Sequence, residues 1–210
     1  MRITKFGHSC LLVEEGRARI LIDPGVWSTI PELTNLDAIL VTHEHQDHLG
    51  IENIKKLLLS NPNCIIYTNA GVGKKLAEAG VAYQNLGNKQ VSEVAGVKIE
   101  GVGEKHAFIY STLPVVDNTG YLIAGRLFHP GDALNVPNIA VDILACPIAA
   151  PWMKLADMLD YGLQVKPQVI FPTHDAFLKP ANPYYTHAER EFKQAGIEWM
   201  MLEDGKSREI

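Results

Sequence analysis

The chain has 210 residues, 47% of them apolar, and carries a net charge of −5 from 19 Lys and Arg against 24 Asp and Glu. That length suits one globular domain spanning 1–210, or two pseudo-symmetric halves sharing a core. The acidic balance, with no basic run longer than two residues, speaks against a nucleic-acid footprint, and no apolar stretch approaches membrane-spanning length.

Three cysteines, an odd count without a CxxC spacing, signal no disulfide framework. Cys64 and Cys146 lie in apolar runs and are expected in the core, and so is Cys10. The segment Met1-Arg2-Ile3-Thr4-Lys5-Phe6-Gly7-His8 has no apolar signal region. A reducing, cytoplasmic setting is the expectation.

In chain order, residues 2–6, 10–14 and 17–23 read as short strands, with a turn at Glu14-Glu15-Gly16-Arg17. Pro24 and Gly25 end the third, and a loop over 24–36 carries Trp27 beside an early strand end. The run Ala38-Ile39-Leu40-Val41 predicts a buried strand over 37–42. Helical periodicity follows over 51–59, a strand over 64–68 and a helix over 71–79 stopped by Gly80. Gly71-Val72-Gly73-Lys74-Lys75 imitates a phosphate loop, yet Thr68 and Lys75 stand where that motif needs Gly and Ser or Thr, so it reads as a helix start. Strands are expected at 91–94, 97–102, 107–112, 120–124, 126–129 and 141–145. A helix near 153–163, a strand at 168–172, a helix at 184–195 and a strand at 197–202 complete the chain.

The segment Thr42-His43-Glu44-His45-Gln46-Asp47-His48 puts three imidazoles and an aspartate directly after a buried strand. Burying so many ionisable groups is costly unless something satisfies them. Imidazole and carboxylate are ligand types for zinc, manganese and iron. In an extended loop, positions 43 and 45 point the same way and reach one metal; Asp47 and His48 turn toward a second. Neither half closes a coordination shell, so ligands are expected downstream. His106, Asp132 in Phe128-His129-Pro130-Gly131-Asp132, and His174 after Val169-Ile170-Phe171-Pro172-Thr173 are the candidates, with His129 competing with His106.

The ordered set Asp23, His43-x-His45-x-Asp47-His48, His106, Asp132 and His174 resembles the metallo-β-lactamase superfamily. Phe6-Gly7-His8-Ser9-Cys10 and Ile170-Phe171-Pro172-Thr173-His174 further resemble its compact, stand-alone metal-dependent hydrolases, which include L-ascorbate-6-phosphate lactonase-like proteins and N-acylphosphatidylethanolamine phosphodiesterases. The resemblance implies an α+β fold, a four-layer αββα sandwich. It implies two divalent ions, Zn2+ foremost with Mn2+ or Fe2+ as alternatives. His43, His45 and His106 would hold the first, Asp47, His48 and His174 the second, and Asp132 would bridge them. Asp23 would orient a ligand imidazole, and His8 would lie near the cavity.

Paired cations activate water and polarise carbonyl or phosphoryl oxygens, so hydrolysis of a small ester, lactone or phosphodiester is the expected reaction. Asp47 and Asp132 take catalytic roles in it, and His8 is the candidate proton source, with His129 and His187 as the other spare imidazoles. A glyoxalase II-type thioester hydrolase, a nuclease and a non-hydrolytic metal protein are the alternatives. Trp27, Tyr110, Trp152 and Phe177 are candidate cavity walls, and residues 147–153 a candidate lip. A small molecule is the expected partner, and homo-oligomers are common in the family.

Overall fold

A computed structural model describes residues 1–210. The elements are β1 (Arg2–Lys5), β2 (Leu11–Glu15), β3 (Ala18–Ile22), β4 (Ala38–Val41), α1 (Ile51–Ser60), β5 (Ile65–Thr68), α2 (Ala70–Glu78), β6 (Gln84–Asn85), β7 (Val91–Val94), β8 (Val97–Val102) and β9 (Gly120–Ile123). They continue with β10 (Leu127–His129), β11 (Ile143–Pro147), α3 (Leu155–Val165), β12 (Val169–Thr173), α4 (Pro183–Gln194), β13 (Glu198–Trp199) and β14 (Ser207–Glu209). They build two seven-stranded mixed sheets, ordered β14-β1-β2-β3-β4-β5-β6 and β13-β12-β11-β10-β9-β8-β7.

Strand alternation sets the layers, because successive side chains leave a strand on opposite faces. Leu11, Val13, Ile20, Ile22 and Leu40 meet Ile99, Ile123, Leu127, Ile143 and Ala145 in one buried cluster between the sheets. The alternate residues Leu12, Leu21, Ile39 and Val41 turn outward and are covered by Ile54 and Leu57 of α1 and by Val72 and Leu76 of α2. On the second sheet, Leu122, Phe128, Leu144 and Ile170 are covered by Met158, Tyr161 and Val165 of α3 and by Ala188 and Phe192 of α4. The buried positions on each helix recur at three- and four-residue spacing, which gives each one apolar stripe. Helix, sheet, sheet and helix are thus the four layers expected. Gly162 allows α3 and α4 to approach, since a Cβ there would lie 2.5 Å from the Phe192 ring.

Local signals set the helix starts. Asn69 and Asn182 accept the backbone N–H of Val72 and Tyr185 at the first turns of α2 and α4, and Pro183 opens α4. The glycine-lysine run is therefore the start of α2, as the sequence indicates.

Three expectations need correction, and two strands lie outside the expected set. Residues 107–112 form no strand: β8 ends at Val102 and β9 begins at Gly120, so the excursion between them leaves the sheet and has no ladder partner. Its Phe108, Tyr110, Leu113 and Val115 are exposed. The last strand shrinks from 197–202 to β13, because within that segment only Glu198 and Trp199 pair with β12. The strand expected at 141–145 is displaced to Ile143–Pro147, in parallel register with β12. β6 and β14 were not expected: two or three polar residues carry no local signal, and β14 exists through its pairing with β1.

A buried ion pair joins the two sheets. Lys5 Nζ, on β1, donates to both oxygens of Asp175 at 2.6 and 2.7 Å and to the Pro172 carbonyl at 3.2 Å. The Tyr185 hydroxyl donates to the same carboxylate at 2.9 Å. Breaking such a pair costs more than replacing it. Lys5→Met is expected to lower stability by about 3 kcal/mol, and Lys5→Met with Asp175→Leu by clearly less. Urea unfolding checks this; equal losses in the two variants would contradict it.

Candidate metal centre

The candidate residues follow strand ends that lie on one edge of the sandwich. Asp23 follows β3, His43 lies two residues past β4, and His174 follows β12. β3 and β4 are parallel, as are β11 and β12, and sites in α/β sheets form at the carboxyl ends of strands. Three non-glycine residues here, His8, Asp23 and His174, have positive φ of 44°, 46° and 55°. Left-handed backbone is strained for such residues and tends to persist at functional sites. Gly25 lets the metal loop fold back on the β3 end: a Cβ there would lie 1.8 Å from the Asp47 carbonyl oxygen.

The seven expected ligands come together, with His8 beside them. Ligand atoms of His43, His45 and His106 all lie within 4.8 Å of one another, as do those of His8, Asp47, His48 and His174, and those of His43, His48 and Asp132. Asp132 sits between the groups. Its Oδ2 is 2.9 Å from His174 Nε2 and 3.4 Å from His106 Nε2, and its Oδ1 is 3.2 Å from His48 Nε2.

Four imidazoles are fixed through Nδ1, which turns Nε2 toward the centre. His48 Nδ1 donates to Asp23 Oδ2 at 2.7 Å. His106 and His174 donate to the Ala107 and Ala149 carbonyls, both at 2.6 Å. His43 Nδ1 donates to Thr42 Oγ1 at 3.0 Å, and that hydroxyl donates on to Asp23 Oδ2 at 2.8 Å. Asp23 thus orients His48 directly and His43 through Thr42. The sequence assigns no role to Thr42 or to the Ala107 and Ala149 carbonyls; the adjacency of Thr42 to His43 is the available signal.

The site fits a cation. His43 Nε2, His48 Nε2, His106 Nε2 and Asp132 Oδ1 are buried without a hydrogen-bond partner. The His48–Asp132 contact is within ion-pair distance but lacks hydrogen-bond alignment. Buried polar atoms are rarely left unpaired, and Nε2 lone pairs converging with a carboxylate oxygen form a donor set for a divalent metal.

Charge agrees. Burial, and then neighbouring His48, hold the His43 pKa well below its ordinary value, so its imidazole stays neutral. Burial also lowers His8 and His45. Burial opposes ionisation of Asp132, yet His48 and His174 outweigh it and keep that carboxyl well below its usual range. Burial likewise opposes charge on Asp47, but the His8 hydrogen bond and His48 bring it to about 2. On His48 burial is overcome by Asp132 and Asp23, and on His174 by Asp132, so both pKa values rise. Protons there offset the same carboxylates that a metal would, and binding would release them.

His8 is fully buried. Its Nε2 lies 3.1 Å from Asp47 Oδ2, and its ring stands 4.2 Å from that of His174 and 4.9 Å from that of Trp27. Its Nδ1 has no partner. His129 stays outside: its Nε2 donates to the Ser9 carbonyl and its Nδ1 accepts the Gly131 N–H, both at 3.2 Å. Both nitrogens are engaged in the fold, which leaves His106 as the histidine brought to the cluster and His129 without a free proton-carrying atom. His187 lies on α4 against Arg190, away from the cluster. Cys10 packs in the layer beneath α1 and α2 rather than toward the cavity, Cys146 packs beneath α3 and α4, and Cys64 is only half-buried.

Trp27 and Phe177 lie against His8, with ring centroids at 4.9 and 6.4 Å. Tyr110 is exposed on the 103–119 excursion. Trp152 does more than line the site: its Nε1 donates to Asp132 Oδ2 at 3.1 Å. Trp152→Phe keeps the ring and removes this donor, and is expected to weaken metal binding about 10-fold. Competition with a chromophoric chelator measures it; wild-type affinity in the variant would show that this hydrogen bond does not support Asp132.

Two helix-flanked mixed sheets with a histidine and aspartate cluster at the strand ends define a metallo-β-lactamase fold. Residues 2–174 match the Beta-lactamase superfamily domain, and the chain belongs to that superfamily. It is similar to a protein of Mycobacterium tuberculosis, with 41% identity over 186 residues, 86% of each chain. It is also similar to a UPF0173 metal-dependent hydrolase of Methanocaldococcus jannaschii, with 27% identity over 82% of this chain and 83% of that protein. The metallo-beta-lactamase fold protein YhfI of Bacillus subtilis superposes with a TM-score of 0.72 at 15% identity, covering 99% of this chain and 98% of its own.

Proposed function

We propose that this protein is a hydrolase that uses two divalent cations, zinc foremost, to cleave a small ester, lactone or phosphodiester. The observation that carries the reading is Asp132 set between two groups of converging ligand atoms. The metal-dependent hydrolase of Methanocaldococcus jannaschii supports it. His43, His45 and His106 would hold one ion, Asp47, His48 and His174 the other, and Asp132 would bridge.

The chemistry that such cations supply is activation of water and polarisation of the scissile carbonyl or phosphoryl oxygen. The chain's own residues do the rest. Asp132 fixes the distance between the groups, and Trp152 fixes Asp132. Asp47 is held at its Oδ2 by His8 and orients the attacking water. His8 is the candidate proton donor to the leaving group. In this reading the only partner needed is a small-molecule substrate, met in the cytoplasm, with homo-oligomeric assembly open to test by sedimentation. No helix is long and apolar enough to cross a membrane. The resemblance of Phe6-Gly7-His8-Ser9-Cys10 and Ile170-Phe171-Pro172-Thr173-His174 to lactonase-like proteins makes a lactone ring the first substrate class to try.

Elemental analysis of the purified protein, followed by an ester, lactone and phosphodiester panel, tests the proposal. Two metals per chain and turnover abolished by chelation and restored by metal are expected. Protein that binds no metal, or turnover indifferent to chelation, would refute it.

A further inference from the structure

A cavity of about 480 Å³ adjoins the cluster at His8. Sites of roughly 300–1,000 Å³ hold small molecules or parts of them. One wall is apolar, formed by Trp27, Leu178, Pro180 and Met201. Trp27 and Met201 remain 48% and 44% exposed, so nothing in the fold covers them. His8 belongs to both the cavity wall and the ligand cluster, and its buried Nδ1 has no partner. A group seated in this cavity would therefore lie beside the centre.

The charges in the wall decide what that group is. Its single cation, Lys5, is held by both oxygens of Asp175 and is not free to meet an anion. Glu203 is engaged by Lys206, while Asp204 has no basic partner within ion-pair distance. Recognition of phosphate calls for available Arg or Lys donors. An unpaired carboxylate repels an anion instead.

We propose that this cavity is the leaving-group subsite and that it takes an uncharged apolar group, aryl or short alkyl, and rejects a phosphorylated one. The assignment of the cavity to a leaving group rests on the hydrolytic reading of the neighbouring cluster. It narrows that reading toward uncharged esters and lactones.

Calorimetric titration of the metal-loaded full chain with 1-naphthol and with 1-naphthalenesulfonate tests it. 1-Naphthol is expected to bind, and the sulfonate to bind at least about 10-fold more weakly. Met201→Glu and Trp27→Ala, both at half-exposed positions, are each expected to weaken 1-naphthol about 10-fold at unchanged metal content. Equal binding of the two probes, or 1-naphthol binding indifferent to both substitutions, would overturn the proposal. If the binding results hold while no ester, lactone or phosphodiester is turned over, the apolar cavity stands and the hydrolytic reading falls. If aryl esters are turned over but 1-naphthol binding ignores both substitutions, the hydrolytic reading stands and the cavity assignment falls.

Discussion

Asp132→Asn is expected to lower metal affinity about 100-fold or more, with hydrolysis falling at least as far. The substitution keeps shape and volume, so packing is not at issue. What it removes is charge. Asp132 is 3% exposed, and its two oxygens lie between 2.9 and 3.4 Å from Nε2 of His48, His106 and His174. An amide offers one acceptor where the carboxylate offers two, and it turns an N–H₂ toward the space where cations would sit. A bridging role requires both oxygens, so the expected loss includes stoichiometry as well as affinity. Chelator competition with elemental analysis reads both. Two metals bound with near wild-type affinity would remove Asp132 from the site.

Asp23→Ala is expected to be the most damaging change outside the ligand set. Asp23 is fully buried and accepts three hydrogen bonds, from Thr42 N at 2.7 Å, Thr42 Oγ1 at 2.8 Å and His48 Nδ1 at 2.7 Å. Alanine strands all three donors, at a cost of roughly 3 kcal/mol or more in stability. The orientation of His48 is lost directly, and that of His43 through Thr42, so metal affinity is expected to fall 10- to 100-fold, roughly the range for such supporting contacts. Asp23→Asn separates the effects. It retains an acceptor for Thr42 N but faces both His48 Nδ1–H and the Thr42 hydroxyl with an N–H₂ donor. Its expected signature is weakened metal binding with a smaller loss of stability by urea unfolding. An Asn variant with unaltered metal binding would show that the carboxylate serves only the fold.

The residues that sequence reveals are those whose meaning is local or ordered. The 43–48 cluster is legible because its groups are contiguous and follow a buried strand. His174 is legible because a strand-like run ends on it. Sequence favours His106 with His129 as a competitor; the fold decides between them because β10 ends with the His129 ring between Ser9 and Gly131. Trp152 reads as a wall residue, and its hydrogen bond to Asp132 depends on where the loop before α3 crosses the strand ends. The strand expected at 107–112 shows the converse. Its Phe, Ile and Tyr have strand propensity, but propensity without a neighbouring ladder does not make a strand. β14 is the complementary case: polar and three residues long, it owes its existence to β1, more than 200 residues away.

Two cations seated between these groups would give a direct crystallographic signal. Anomalous diffraction at the zinc edge, from crystals of the zinc-loaded protein, would locate them. Two peaks are expected, one about 2.0–2.2 Å from nitrogens of His43, His45 and His106, the other at that distance from Asp47, His48 and His174, with Asp132 reaching both. Peaks confined to surface positions, or an ion bound with Asp132 turned away from it, would rule out a two-cation centre bridged by Asp132.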